Sequence, residues 1–310
     1  VQSNRNPVVS ICMITYNHEA YIAQAILSVI EQKTDFNFEL VISNDCSTDS
    51  TNTVIETVIK QNTNSRLSIR YYNQSSNLGM MPNFIFTLDS CTGKYVALLE
   101  GDDFWTDPLK LQKQVDFLGK NKDCSFCFHK AYLVSETGEI TSDTHIYPED
   151  IKANTLNASK YLALNSSATC SLMYRSIEIK SIKRMHHSHG DFMLYCELLH
   201  HGKAGFLDSV MSAYRKHDFG VSNKLNSEAY MRNRINELKT ELNYFKSKAV
   251  VDGIRKKYLL KLFKFLKLHG HKISDSEKKE ILNQLRKSKL YYNLKFKNLF
   301  KRLLRKMKIH

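Results

Sequence analysis

Over its first 130 residues the chain alternates short β-branched runs with segments of helical period, and this alternation restricts the fold more than any other feature. Val8–Ile14 is a near-continuous apolar run that reads as a strand, and Glu19–Gln32 reads as a helix with Ile22, Ile26, Val29 and Ile30 on one face. Phe38–Ser43 predicts a second strand. Asp49–Lys60 predicts a second helix, opened by Ser47, Thr48 and Asp49, residues that cap well. Leu67–Tyr72, Pro82–Asp89 and Tyr95–Leu99 continue the series as strand, helix and strand. Strands joined by right-handed helical crossovers make an α/β unit with a Rossmann-like, doubly wound, mostly parallel sheet.

Beyond residue 130 the pattern is mixed, with strands expected at Thr169–Tyr174 and Gly205–Tyr214 and a helix at His189–His201 opening on Gly190 and Asp191. From residue 225 the composition shifts to helix. Tyr230–Lys246, Ile254–Leu268, Glu277–Lys289 and Tyr291–Lys308 all carry helical period. The expected organisation is therefore a domain over 1–224, with a ligand-binding half near 1–105 and a second half near 106–224, followed by a helical appendage over 225–310.

The chain carries a net charge of +14, and it is unevenly placed: residues 225–310 hold +17 and residues 1–224 hold −3. A basic tail on a mildly acidic body suits a polyanion, lipid headgroup or nucleic acid alike. At 42% apolar and 25% charged residues, collagen-like, mucin-like and disordered classes are excluded. No apolar run reaches the 18 or so residues that a bilayer span needs, and Val1–Pro7 is polar without a signal-peptide pattern. The seven scattered cysteines do not form a disulfide pattern and suit a reducing compartment. Cys124 and Cys127 make one CxxC, but no second pair lies nearby, and Phe126 and Phe128 place it in a buried strand.

In a doubly wound sheet, ligands bind beyond the carboxyl ends of the strands. Polar residues gather at three such exits: Thr15, Tyr16, Asn17 and Glu19; Asn44 and Asp45; Glu100, Asp102 and Asp103. Taken singly, Asn and Asp at such places make turns. Three exits together point to one crevice. The segment YVALLEGDDFW sets three acids at the end of a buried strand, with Gly101 permitting a tight turn. Such acids repel one another unless a cation intervenes, and Mg²⁺ or Mn²⁺ shared with nucleotide phosphates would serve. No GxxxxGK[ST] or GxGxxG occurs, so the phosphates would be held by side chains and metal rather than by a glycine cradle.

In order along the chain, VSICMITYNHEAYIAQAILSVIEQ, ELVISNDCSTDST, NLG at 77–79 and GKYVALLEGDDFWTDPLKL resemble the landmarks of the family 2 glycosyltransferases with the GT-A fold. HGDFMLYCELLHHGKAGFLDSVMSAYRKHDFGVSN extends the resemblance to about residue 223. The resemblance implies a metal-dependent, inverting transfer of a sugar from a nucleoside diphosphate, UDP by preference, to a hydroxyl of a glycan or lipid-linked acceptor. Thr15, Tyr16, Asn17 and Glu19 then match the base and ribose pocket, Asp45 the acid that bonds the base, and Asn77 and Gly79 a loop near the nucleotide. Asp102 and Asp103 match the end of the DxD motif, Asp102 at the ribose and metal and Asp103 at the metal. Glu100 stands where the leading Asp is usual and, with Gly101, is grouped with the nucleotide-sugar contacts. Asn44 and Cys46 depart from the common DDGS pattern, which keeps Asp45.

Asp191 matches the catalytic base that would take the acceptor's proton, and His217 matches a histidine at the metal or diphosphate. Arg215 and Lys216 are candidate diphosphate or acceptor contacts. Trp105, the one tryptophan, either stacks on a sugar or packs in the core. His186, His187 and His189 cluster near Asp191 in sequence but fit no metal spacing, and they read as surface or acceptor-loop residues.

The basic tail has two readings. Amphipathic segments over 254–308 would lie on an anionic membrane face, as suits family members that act at the cytoplasmic side on lipid-linked acceptors. Alternatively, their apolar stripes pack internally and the lysines meet water. Nucleic acid is not expected, since no reader motif occurs. Two rivals to the transferase reading are a polyanion- or membrane-binding protein with a vestigial nucleotide fold, and a metal-dependent nucleotidyltransferase.

Overall fold

The computed structural model describes residues 6–145, 154–163, 167–176, 190–218, 220 and 226–288. His186, His187, His189 and the expected helix Tyr291–Lys308 lie outside them. The chain divides into two compact units, Val1–Asn157 with Leu164–His217, and Ala158–Ala163 with Asp218–His310. The short helix Ala158–Ala163, expected within the first domain, belongs to the second unit.

In the first unit the strands are β1 (Val9–Thr15), β2 (Phe38–Asn44), β3 (Leu67–Asn73), β4 (Tyr95–Leu98), β5 (Phe104–Trp105), β6 (Cys124–Val134), β7 (Ile140–His145), β8 (Thr155–Leu156), β9 (Met173–Arg175) and β10 (Lys203–Arg215). They form one sheet in the order β3-β2-β1-β4-β9-β6-β10-β5, with β7 beside β6 and β8 beside β10. β1 pairs in parallel with β2 and β4, β2 with β3, and β6 with β10. Helices α1 (Ile22–Ile30), α2 (Thr51–Ile59), α3 (Met80–Ser90) and α4 (Lys110–Lys120) follow β1, β2, β3 and β5. Both faces of the central strands are covered, which explains why β1 and β2 are buried along nearly their whole length rather than alternately. Val9, Ile11, Met13, Leu40 and Ile42 are fully buried with Ile22, Ala25, Ile26 and Val29 of α1.

The expected strand Thr169–Tyr174 is instead a 3₁₀ turn, Thr169–Ser171, followed by β9. Ser171 Oγ donates to the Ala168 carbonyl at 2.6 Å, a local bond that competes with the strand ladder. β9 runs antiparallel between β4 and β6, so the parallel sheet is interrupted there. Cys124 and Cys127 lie buried in β6, and burial pushes their thiols up to about 11 and about 12. Neither is a thiolate ready for a metal.

Within the second unit, helices Glu228–Tyr244, Lys248–His269 and Asp275–Arg286 join Ala158–Ala163. Ser227 and Ser274 cap two of them by accepting from Tyr230 N and Glu277 N. The stripe Leu259, Leu262, Phe263 and Leu266 is buried, so it is not a free apolar face, while Lys264 and Lys267 are exposed. Among the described residues, no helix is long and apolar enough to cross a membrane.

Under the sheet, Glu39 of β2 is 3% exposed. Its carboxylate accepts from Ser10 Oγ at 2.5 Å, from Thr92 N and Oγ1 at 2.8 Å, and from Arg70 at 2.7 Å. Burial alone would raise its pKa, but these donors outweigh burial and hold it below the ordinary 4.5. A carboxylate with a depressed folded pKa stabilises the fold fully above its unfolded value and loses that contribution as pH falls through the folded one. Glu39→Gln is therefore expected to lower stability at pH 7 by roughly 1–3 kcal/mol. Urea melts at descending pH should show the gap between wild type and variant closing below pH ~4.5; a constant gap would refute the assignment.

Candidate active site

The exits of β1 and β2 are fastened to each other by side chains. Asn17, in a left-handed conformation at φ 53°, accepts from Thr48 N through Oδ1 at 2.9 Å, and its own N–H donates to Ser47 Oγ at 2.9 Å. Glu19 Oε2 accepts from Ser50 N at 2.8 Å, and Glu19 N donates to Asp49 Oδ2 at 3.1 Å. Ser47 and Thr48 thus serve as latches between loops, not as caps of α2, while Asp49 latches Glu19 and also accepts from Thr51 N at 3.0 Å. Of the β1-exit residues, Tyr16 is 42% exposed and presents its ring to solvent.

Asp45 is buried, and its two oxygens accept from Leu78 N at 2.7 Å and Gly79 N at 3.0 Å. Asn77 Oδ1 also accepts from Gly79 N, and Gly79 turns the loop at φ 88°. Asp45, Asn77 and Gly79 are therefore brought together, with Asp45 already engaged in ordering the loop. Cys46 stands at φ 57°, a left-handed conformation that costs a side-chain-bearing residue energy.

The third exit follows β4. Gly101 N donates to Ile14 O at 3.0 Å, and a Cβ at Gly101 would fall 2.6 Å from Thr15 Oγ1 and 2.9 Å from Ile22 Cδ1. This close approach brings Asp102 beside the β1 exit. Asp102 Oδ2 lies 3.0 Å from His217 Nε2 and 4.0 Å from His18 Nε2. Thr15 Oγ1 sits 3.2 Å from His18 Nδ1. The ligand atoms of His18, Asp102 and His217 all lie within 4.8 Å of one another. Two imidazoles and a carboxylate facing one point suit a divalent ion, so the donor set fits a metal site.

Asp103, expected as a metal ligand, is not in this cluster. It is 2% exposed, and its Oδ1 accepts from Arg215 N at 2.8 Å, so it points inward to fasten β10. His18, between Asn17 and Glu19, stands in the cluster instead and was not singled out from the sequence. The signal was there: a histidine two residues from a strand exit, inside the segment already singled out.

Charge at the site is divided unequally. Burial, with Asp102 and Asp191 nearby, pushes Glu100 up to about 8. Burial, with Asp102 and Glu100 nearby, raises Asp103 well above the ordinary carboxylate value. For Asp102 burial acts upward too, but the His217 hydrogen bond and the charge of His18 outweigh it and hold the carboxyl below the ordinary range. The hydrogen bond to Asp102 raises His217, while burial lowers His18. Burial thus works with the neighbouring carboxylates to favour the neutral form of Glu100 and Asp103, and the histidines favour the charged form of Asp102. Asp191 lies in the first turn of the helix Gly190–His201, and its influence on Glu100 puts it in electrostatic reach of this cluster.

Arg215 is not free for a diphosphate. It is 4% exposed, and its guanidinium donates to the carbonyls of Asp102 at 2.9 Å and Glu136 at 2.6 Å and to Gln24 Oε1 at 2.6 Å. It also stacks on Tyr21 with its centre 5.0 Å from the ring. Tyr21 in turn donates to Glu136 Oε1 at 2.7 Å and lies 5.0 Å from the His217 ring. Motif reading did not single out Tyr21, Gln24 and Glu136, which reach the site by holding Arg215 and, for Glu136, through a charge that acts to raise His217. Lys216 is exposed, with its backbone N–H on Val134 O. Trp105 does not face the crevice: it is 4% exposed, donates through Nε1 to Cys170 O at 3.0 Å, and lies under Lys110 Nζ at 4.1 Å.

The family model described as glycosyl transferase family 2 matches residues 10–181. The chain belongs to glycosyl transferase family 2. An uncharacterized protein of Mycobacterium tuberculosis is 33% identical over 213 residues, covering 68% of this chain and 60% of that relative, so the chain spans well under two thirds of its length. Among solved structures, Staphylococcus aureus TarS in complex with UDP-GlcNAc superposes with a TM-score of 0.61 at 17% identity, covering 89% of this chain and 79% of that one. The mannosyltransferase PcManGT from Pyrobaculum calidifontis, in complex with GDP-Man and Mn²⁺, gives 0.58 at 12% identity, covering 97% and 85%. These likenesses establish the GT-A fold.

The family pattern DDGS has glycine where this chain has Cys46, and the positive φ explains that preference. Cys46→Gly is expected to raise stability by about 0.5–1 kcal/mol, the relief of the left-handed residue less the backbone entropy of glycine. Gly101→Ala should act in the opposite sense, costing about 1–3 kcal/mol through overpacking against Thr15. Chemical denaturation of both variants measures the two signs.

Proposed function

We propose that the chain transfers one sugar from a nucleoside diphosphate, with UDP the working donor, to a hydroxyl of a glycan or lipid-linked glycan with inversion. The observation that carries this reading is the gathering of His18, Asp102 and His217 beside the strand exits of a family 2 domain. The complexes of the solved neighbours, with UDP-GlcNAc in one and with GDP-Man and Mn²⁺ in the other, support the donor class.

Mn²⁺ or Mg²⁺ held by His18, Asp102 and His217 would supply positive charge to the departing diphosphate. Asp191 is the proposed general base, taking the proton of the acceptor hydroxyl as that oxygen attacks the anomeric carbon. One displacement inverts the configuration. Its place in the first turn of the helix Gly190–His201, close enough to act on Glu100, supports this role. Thr15, Tyr16, Asn17 and Glu19 are assigned to the base and ribose, with the exposed ring of Tyr16 available for stacking. Asp45 acts by holding Leu78 and Gly79, so that the 77–79 loop keeps its shape beside the nucleotide. Peripheral contact with an anionic membrane face through 254–308 belongs to the same reading and rests on lysines such as Lys264 and Lys267, which are exposed.

Purified protein, assayed against a panel of sugar nucleotides, is expected to transfer or hydrolyse one of them and to release a nucleoside diphosphate. Release of pyrophosphate would instead identify a nucleotidyltransferase. Asp191→Asn should lower kcat by roughly 10²–10⁴-fold while donor-induced thermal stabilisation persists. Retention of full activity in that variant would remove Asp191 from the mechanism, and failure of every donor to stabilise the protein would favour the binding-protein reading.

A further inference from the structure

Resting on the assignment of Asp191 as the base, we infer that Met81 of α3 is a positioning residue for it. The thioether is seated on Gly190 and sets where the first turn of the helix Gly190–His201 stands. A Cβ built at Gly190 would meet the Met81 methyl, fall 2.5 Å from the Met81 sulfur and stand 3.6 Å from the Phe84 ring. The space that a side chain would need at residue 190 is therefore already filled from α3, and glycine is what admits it. Asp191 is the next residue. A shift of the backbone at 190 carries the carboxylate with it.

The α3 side of this contact is pinned to the end of β2. Asp45 accepts from Leu78 N at 2.7 Å and Gly79 N at 3.0 Å. Gly79 O accepts from Asn83 N at 3.1 Å and closes the first turn of α3. Asn83 is 1% exposed; its Oδ1 accepts from Ser43 Oγ at 2.6 Å and its Nδ2 donates to Ser43 O at 3.2 Å. Gln74 Nε2 donates to the same hydroxyl at 3.0 Å. A buried amide satisfied at both ends holds α3 in one register on β2. Met81 leaves this fixed turn, with buried Phe84 three residues on and on the same face.

The helix side is held differently. Asp191 Oδ1 accepts from Phe192 N at 2.7 Å, a bond that ties the carboxylate to its own turn. Phe192 and Met193 are buried and seat the helix in the unit, while Met81 supplies the contact at the residue just before the carboxylate. A long, unbranched thioether suits such an irregular gap. The loop assigned to the nucleotide and the proposed base are thus joined through α3, by Asp45 on residues 78 and 79 and by Met81 on Gly190. Misplacing a reacting group by about 1 Å costs up to about 10²-fold in rate, so loss of this contact registers in kcat before it registers in donor binding.

The test is a double-mutant cycle on the full-length protein, with UDP-GlcNAc as substrate or, in its place, the panel sugar nucleotide that the wild type turns over. Met81→Ala is expected to lower kcat by about 10-fold or more, with donor KM and donor-induced thermal stabilisation unchanged. Met81→Leu, close in volume, should retain most of kcat. Gly190→Ala should lower kcat by expelling the thioether, and adding Met81→Ala to it should recover part of that loss, because the new methyl takes up the space given back. Crystal structures of wild type and Met81→Ala, superposed on β1 and β2, should show Asp191 displaced in the variant. An unchanged kcat in Met81→Ala, an unmoved Asp191, or losses that simply multiply in the double variant overturn the inference and leave Asp191 as the base. Donor binding and stability falling together with kcat, with Met81→Leu as impaired as Met81→Ala, would mark a purely structural contact and overturn it as well. Full activity of Asp191→Asn overturns both the inference and the assignment beneath it.

Discussion

The site exists because the end of β10 is tied to the loop after β4. Arg215 donates to the carbonyls of Asp102 and Glu136, and its own N–H is held by Asp103. Three segments far apart in sequence are thereby fixed to one guanidinium, whose rigid fork suits several acceptors at once. His217 follows two residues later and meets Asp102 at 3.0 Å. Stacking of Arg215 on Tyr21 and of Tyr21 beside His217 adds the start of α1 to the same knot. The geometry that places the histidine is thus built mostly from backbone carbonyls and one buried cation, with no glycine cradle.

The strand and helix order of residues 8–99 was legible because burial on both faces leaves an unmistakable apolar run in β1 and β2 and a helical stripe in α1. β9 was legible in part: the strand expected at Thr169–Tyr174 overlaps it at Met173 and Tyr174, but the first residues of that expected strand form a 3₁₀ turn made by local hydroxyl bonding that periodicity does not register. Among site residues, those in ordered motifs were found, but their roles were not: Asp103, Arg215 and Trp105 carry the residue types of a binding site and are spent on internal bonds. Sequence shows which groups have the chemistry, whereas burial and the direction of each side chain decide which of them keep a free atom. His18 illustrates the converse, an unremarked neighbour whose ring is aimed by Thr15.

In the second unit, charge was legible as composition but not as distribution. Arg234 is 3% exposed and pairs with Glu237 and Glu241, both buried, at 3.2 and 2.8 Å. Arg232 bonds Glu277 at 2.6 Å and Glu228 at 3.0 Å. A segment holding few acids therefore spends several of them on arginines. Burial of two ionised partners costs desolvation that the pair must recover through hydrogen bonds; the Arg234 pairs lie within one helix, and Arg232–Glu277 alone of these joins two helices. The apolar stripe of Lys248–His269, once committed to packing, leaves only charge for any surface interaction.

The three acids after β4 show how one short motif separates two tasks. Were Asp102 and Asp103 both ionised and both facing the crevice, their mutual repulsion in a weakly polar environment would exceed what a single ion pair returns. The turn after Gly101 instead sends consecutive side chains to opposite sides. Asp103 goes into the core, where its Oδ1 accepts from the Arg215 N–H and burial raises its pKa. Asp102 keeps its charge because two imidazoles face it. A neutral Glu100 beside it adds bulk and polarity without a second full charge. The result is a carboxylate flanked by two imidazoles, a softer donor set than three adjacent acids imply.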